Sequence, residues 1–143
     1  MNIVVLAGGL SMERDVSLAS GSLIANALRD CGHNAVLVDL YYGIEKEKMN
    51  FSSLEGRYEH KIPETAPDLD AIIASNGGRK NPVGENVIEL CKMADVAFLA
   101  LHGGVGENGK LQALFEMNGI RFTGSSSIGC MLAMDKIISK ELI

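Results

Sequence analysis

Two glycine-rich loops hold most of the side chains in this 143-residue chain that could act on a small ligand. The first, Gly8-Gly9-Leu10-Ser11-Met12-Glu13-Arg14-Asp15, follows the apolar run Ile3 to Ala7, where a nucleotide-binding protein would place its phosphate loop. It makes a poor phosphate cradle. G-x-G-x-x-G and G-K-[ST] are both absent, and Glu13 and Asp15 at a helix start would repel the anion that the helix dipole attracts. A carboxylate in that crevice favours a bound ammonium instead. The same residues also suit a plain structural role, with Ser11 or Asp15 capping the helix and Glu13 a solvated acid of its first turn, worth up to about 1 kcal/mol. Taken alone, they leave both roles open.

The second loop, His102-Gly103-Gly104-Val105-Gly106-Glu107-Asn108-Gly109, lies between a buried strand and a helix. Its glycines permit positive φ and close approach of a ligand, and His102 at the strand's end can offer a polar tip to the crevice. His102 is equally suited to a structural hydrogen bond, and Asn108 to the N-cap of the next helix with Glu107 bonding locally. A third loop, Thr123-Gly124-Ser125-Ser126-Ser127, has hydroxyls that suit an anion or carboxylate, or simply a turn. No spacing forms a metal cluster or a Ser/His/Asp triad. His33 and His60 receive no role, and Cys31, Cys91 and Cys130, without a CxxC pair, read as core thiols of a reducing compartment.

The elements that must position these loops alternate. Ile3 to Ala7 reads as a strand buried on both faces, and Leu23, Ile24, Ala27, Leu28 and Cys31 as a helical stripe closed by Gly32. Ala35 to Val38 is a second strand. No period is sustained over 41–67. Leu69 to Ala74 is expected as a strand, Gly77-Gly78 as a turn, and Val87, Leu90, Cys91 and Ala94 as one face of a helix. Val96 to Leu101 reads as a buried strand, Leu111, Leu114 and Phe115 as a helix stopped by Gly119, and Ile120 to Thr123 as a last short strand. The fold class is therefore α/β, an open parallel sheet with helices on both faces and ligand loops at the strand C-termini. One domain is expected at this length. Met134, Ile137, Ile138 and Leu142 form one helical stripe with no terminator, so residues 1–133 are expected as the α/β domain and 134–143 as the start of a connecting helix into further chain. The net charge of -5 has the wrong sign for nucleic acid or anionic membrane. No leader or membrane span is legible, and a cytoplasmic location is expected.

Together the loops resemble one family. Gly8-Gly9-x-Ser11-x-Glu13-Arg14-x-Val16-Ser17-x-x-Ser20-Gly21, Leu101-His102-Gly103-x-x-Gly106-Glu107-Asn108-Gly109-x-x-Gln112, Phe122-Thr123-Gly124-Ser125 and Ala133-Met134-Asp135-Lys136 are similar to the N-terminal third of the D-alanine–D-alanine ligases. The resemblance implies a Rossmann-like pre-ATP-grasp domain, the substrate lid of a three-domain enzyme. In that enzyme ATP phosphorylates the carboxylate of a first D-alanine, and the amine of a second attacks the acyl phosphate to form the peptidoglycan dipeptide. By motif, Glu13 grips the ammonium of the first D-alanine and His102 sits beside its carboxyl end, the two catalytic assignments. Val16 and Gly103 join them in the substrate site, Lys136 reaches nucleotide phosphate, and Ser11, Glu107 and Gly109 order the loops. ATP and Mg²⁺ are implied for the complete enzyme, held mainly by its other domains. No metal ligand falls in this chain, which alone is not expected to turn over. A homodimer is implied as well. Whether the second substrate is D-alanine, D-serine or D-lactate stays open. The rival from another class is a non-catalytic α/β binding module.

Overall fold

The apolar N-terminal run forms β1 (Asn2–Ala7), and in the computed structural model of the chain, which describes residues 1–51 and 56–143, Ile3 to Ala7 are all buried. Such a run needs cover on both faces of the sheet. The order is β2-β1-β3, with β2 (Asn34–Asp39) and β3 (Val96–Leu99) both parallel to β1. The register sets Ala7 opposite Asp39 and Leu6 opposite Leu99, so all three strands end along one edge. Ile3, Val5 and Ala7 face a layer with Ala25, Leu18 and Leu28, whereas Val4 and Leu6 face Leu90, Leu111 and Phe115. Helices cover both faces, as the alternating elements require.

The helix α1 (Arg14–Asp30) forms as expected, but it packs through a different stripe. Leu23 is 73% exposed and Cys31 is exposed, while the buried positions are Arg14, Ser17, Gly21, Ser22, Ala25 and Asn26. The reason is proximity. A Cβ on Gly21 would stand 2.6 Å from the Ala7 Cβ and 2.9 Å from the Leu37 Cδ1, so the helix lies too close to the sheet for large side chains.

Three further expectations are corrected. Leu69–Ser75 is a helix, α2, because the Asp68 carboxylate accepts the Ala71 N–H at 3.0 Å and starts a helical turn. Ile120 to Thr123 makes a single parallel bridge, Phe122 to Ala97, rather than a strand. The C-terminal stripe is two helices, since Asp135 adopts an extended conformation after α5 (Ser127–Met134), and its carboxylate caps α6 (Lys136–Leu142) through the Ile137 and Ile138 N–H groups. Between these elements, α3 (Val87–Met93) and α4 (Lys110–Met117) form where expected. The aperiodic stretch 41–67 contributes a 3-10 turn at Lys46–Lys48, and its residues 52–55 lie outside those described. Of the three cysteines only Cys91 is a core thiol, and burial pushes its pKa up to about 12; Cys31 is exposed and Cys130 half-buried. Among the described residues no helix is long and apolar enough to cross a membrane.

Candidate functional site

At the edge where the strands end, β1 leaves through Gly8 and Gly9, both in the left-handed region at φ 70° and 79°. The Gly8 N–H donates to the Ser17 hydroxyl at 2.8 Å, and that hydroxyl donates to the Ala100 carbonyl at 2.7 Å. Fully buried Ser17 thus ties the exits of β1 and β3 to α1. A Cβ on Gly8 would fall 2.4 Å from the Asp39 Oδ2, so the turn admits only glycine there.

The first loop then reaches the second. The Ser11 hydroxyl accepts the Glu13 N–H at 3.2 Å and donates to the His102 carbonyl at 2.7 Å, across 91 residues of chain. Gly103 has φ 69°, and a Cβ on it would meet the Glu13 Oε2 at 3.0 Å and the Ser11 Cβ at 3.4 Å. The Glu13 carboxylate therefore lies against Gly103. Val16, 44% exposed, stands one helical turn beyond Glu13. His102 is half-buried, and its imidazole makes no hydrogen bond among the described residues. These residues form an open rim with a free carboxylate.

Three acids crowd the entry to α1, and their surroundings differ. Asp39 is paired with the Arg14 guanidinium, and Asp15 lies 2.8 Å from the His60 Nε2. Glu13 has no ion-pair partner among the described residues. Ser11 and Asp15 do not cap α1: Glu13 occupies the N-cap position without a side-chain bond, and Ser11 instead holds the turn through its carbonyl, which accepts the Arg14 N–H at 3.1 Å.

The second loop is ordered mainly from its far end. Buried Gln112 donates to the Gly106 carbonyl at 2.6 Å, and its Oε1 is unpartnered among the described residues. Gly109, at φ 83°, takes the N-cap position of α4, for which Asn108 was one candidate. Asn108 accepts the Lys110 N–H at 3.1 Å instead. A Cβ on Gly109 would lie 2.4 Å from the Ser127 carbonyl, which makes glycine necessary where α5 crosses. Glu107 is exposed, and its carboxylate takes no hydrogen bond among the described residues. It lines a cavity of about 340 Å³ with Gln112, Leu101, Cys130 and Met134. In the third loop three of the four hydroxyls are committed: Thr123 accepts the Leu99 N–H, Ser126 caps α5, and Ser127 bonds Glu116, while Ser125 is exposed. Lys136 is exposed at the first turn of α6, a helix that packs on α5, and no ion pair joins it to the rim among the described residues.

Sequence reasoning passed over Arg14 and Ser17, which stand inside the quoted motif, and Asp39 and His60, which stand outside it. Adjacency to Glu13 was the available signal for the first pair. Nothing in the spacing linked Asp39 or His60 to the loop. Among the described residues no group of three or more His, Cys, Asp and Glu side chains converges.

Comparison with known proteins gives a consistent result. Residues 2–125 match the family model described as D-ala D-ala ligase N-terminus. The chain is 43% identical to a D-alanine–D-alanine ligase of Lacticaseibacillus casei and 44% identical to one of Pediococcus pentosaceus, in each case over 100% of this chain and 42% of the relative. Its fold is similar to that of a D-alanine–D-alanine ligase of Bacillus anthracis complexed with ATP, with TM-score 0.63 at 28% identity, over 99% of this chain and 35% of that one. The chain spans less than half the length of these relatives.

Proposed function

This chain belongs to the family of D-Ala–D-Ala ligase N-terminal domains, and on that premise we propose that it is the substrate-lid domain of an ATP-dependent ligase joining two D-alanine molecules for peptidoglycan. In the complete enzyme ATP phosphorylates the carboxylate of the first D-alanine, and the amine of the second attacks the acyl phosphate, releasing phosphate as the peptide bond forms. Glu13 binds the ammonium of the first D-alanine, His102 lies beside its carboxyl end, and Val16 and Gly103 wall the site. Lys136 meets nucleotide phosphate when the lid is joined to the rest of the enzyme, as a flexible cation suits a polyanion. D-alanine is preferred to D-serine or D-lactate as second substrate because the curated relatives named above are D-alanine–D-alanine ligases.

The observation that carries this reading is the contact of the Glu13 carboxylate with Gly103, held by the Ser11 to His102 hydrogen bond. It sets an unpaired negative charge between the two loops where strands end. Mg²⁺ accompanies ATP in this chemistry, but the described residues do not fit a metal site, so no step here runs through it. On this reading the groups that stabilise a transferring phosphoryl group belong mainly to the other domains, and the chain alone does not turn over. The enzyme acts in the cytoplasm, and this domain pairs with a second copy.

Glu13→Gln in the complete ligase tests the assignment. The change keeps shape and hydrogen-bonding capacity but removes the charge, so KM for the first D-alanine rises about tenfold or more, each factor of ten being about 1.4 kcal/mol, while KM for ATP stays within a few-fold. Unchanged D-alanine kinetics would remove Glu13 from the site.

A further inference from the structure

Beside Glu13 stands an arginine whose burial and partners exceed what a helix start needs. The Arg14 side chain is 9% exposed and that of Asp39 14%, and they form an ion pair between the first turn of α1 and the end of β2. The guanidinium also donates to the Gly9 carbonyl at 2.9 Å, and its Cζ lies 5.0 Å from the centre of the Tyr42 ring. Asp39 spends its other oxygen on backbone: Oδ1 accepts the Tyr41 N–H at 2.8 Å, the Tyr42 N–H at 3.1 Å and the Gly9 N–H at 3.4 Å. The pair therefore clamps both peptide groups of Gly9 and joins β1, β2 and α1 at the strand edge. The planar guanidinium fork holds a carbonyl and a carboxylate at fixed angles, a geometry that a lysine ammonium on its flexible stem does not pre-organise.

The clamp also sets the charge of the rim. An unpaired Asp39 would place a second carboxylate behind the Gly8–Gly9 turn, and a cationic ligand would be drawn inward, away from Glu13. With Asp39 held by Arg14 and Asp15 by His60, Glu13 is left as the unpaired acid of the α1 entry. We propose that Arg14 is a positioning residue for the substrate ammonium: it neutralises Asp39 and fixes the turn that presents Glu13. This rests on the reading that Glu13 meets the first D-alanine.

The test is steady-state kinetics of the complete ligase that carries this chain, varying the first D-alanine and ATP in turn, with melting curves, for the unmodified enzyme and for Arg14→Met, Arg14→Lys, Asp39→Asn and Glu13→Gln. Arg14→Met is expected to raise KM for the first D-alanine about tenfold with KM for ATP within a few-fold, and Arg14→Lys to recover part of the loss. Asp39→Asn raises the same KM, because it frees the Arg14 cation to compete with the substrate ammonium for Glu13. A purely structural arginine would lower the melting temperature in all three and leave D-alanine KM alone. That result overturns the proposal while a Glu13→Gln defect keeps the functional reading intact. If Arg14→Met does not fold, unchanged KM in Arg14→Lys and Asp39→Asn overturns it equally. An unmodified enzyme without D-alanine-dependent ATP turnover sinks both.

Discussion

Ser17 shows how much a single hydroxyl can hold together at this edge. It accepts from the Gly8 N–H and donates to the Ala100 carbonyl, so two strand exits that feed separate loops share one buried oxygen. Ser17→Ala leaves both backbone groups without that partner in a site closed to water, and a buried unsatisfied group costs about 1–3 kcal/mol. Urea denaturation is expected to show a loss of that size through a lower midpoint at unchanged slope. A stability equal to the unmodified chain would mean that the strand exits are held by other contacts. The same residue explains the small-residue stripe of α1, because a hydroxyl can bridge β1 and β3 only from a helix that lies close to the sheet.

Elements meet by similar short bridges. Glu116 on α4 accepts the Ser127 N–H at 2.9 Å and the Ser127 hydroxyl at 2.5 Å, which fastens the start of α5 to α4 next to the crossing at Gly109. These bonds favour the carboxylate and hold the Glu116 pKa below its ordinary value of 4.5. A group whose folded pKa is depressed stabilises the fold above the unfolded value, and that contribution disappears as pH falls through the folded value. Melting temperatures of the unmodified chain and of Glu116→Gln should therefore differ at neutral pH and converge as pH drops below 4.5. A constant gap across that range would mean that ionisation of Glu116 plays no part in docking α5. The exposed position of Glu116 keeps the effect small.

At the scale of the whole molecule, the proposed function makes the chain one wall of a crevice. Glu13, Val16 and Gly103 stand on an open rim, and the chain covers 42% of the length of relatives such as the Lacticaseibacillus casei ligase. Few contacts must then offset the lost freedom of a small ligand. Titration calorimetry of the 143-residue chain with D-alanine or ATP is expected to show no binding at micromolar concentration. Micromolar affinity for either would mean that the rim closes on its ligand by itself.

What the sequence determined by itself follows from patterns that need no distant partner. A continuous apolar run demands cover on both faces, so Ile3 to Ala7 read as a buried strand of a parallel sheet, and glycines after strands marked the two loops; that this strand is the central one was decided by the pairing of β2 and β3 on its two sides. The same local logic located α3 and α4 from their apolar spacing. It failed where two local patterns competed. Leu69 to Ala74 is short enough to read as a strand, and only the Asp68 cap decides for α2. The stripe from Met134 to Leu142 reads as one helix until the Asp135 carboxylate captures the following amides. Other choices belonged to tertiary structure alone. Which face of α1 is buried depends on its distance from the sheet, and that distance is set by Gly21 against Ala7 and Leu37. Which acid at the rim stays unpaired depends on Asp39 and His60, brought to α1 by β2 and by the segment after it. Residue types announced an acidic loop beside a glycine loop; the parallel register, by ending three strands at one edge, placed the Glu13 carboxylate against Gly103.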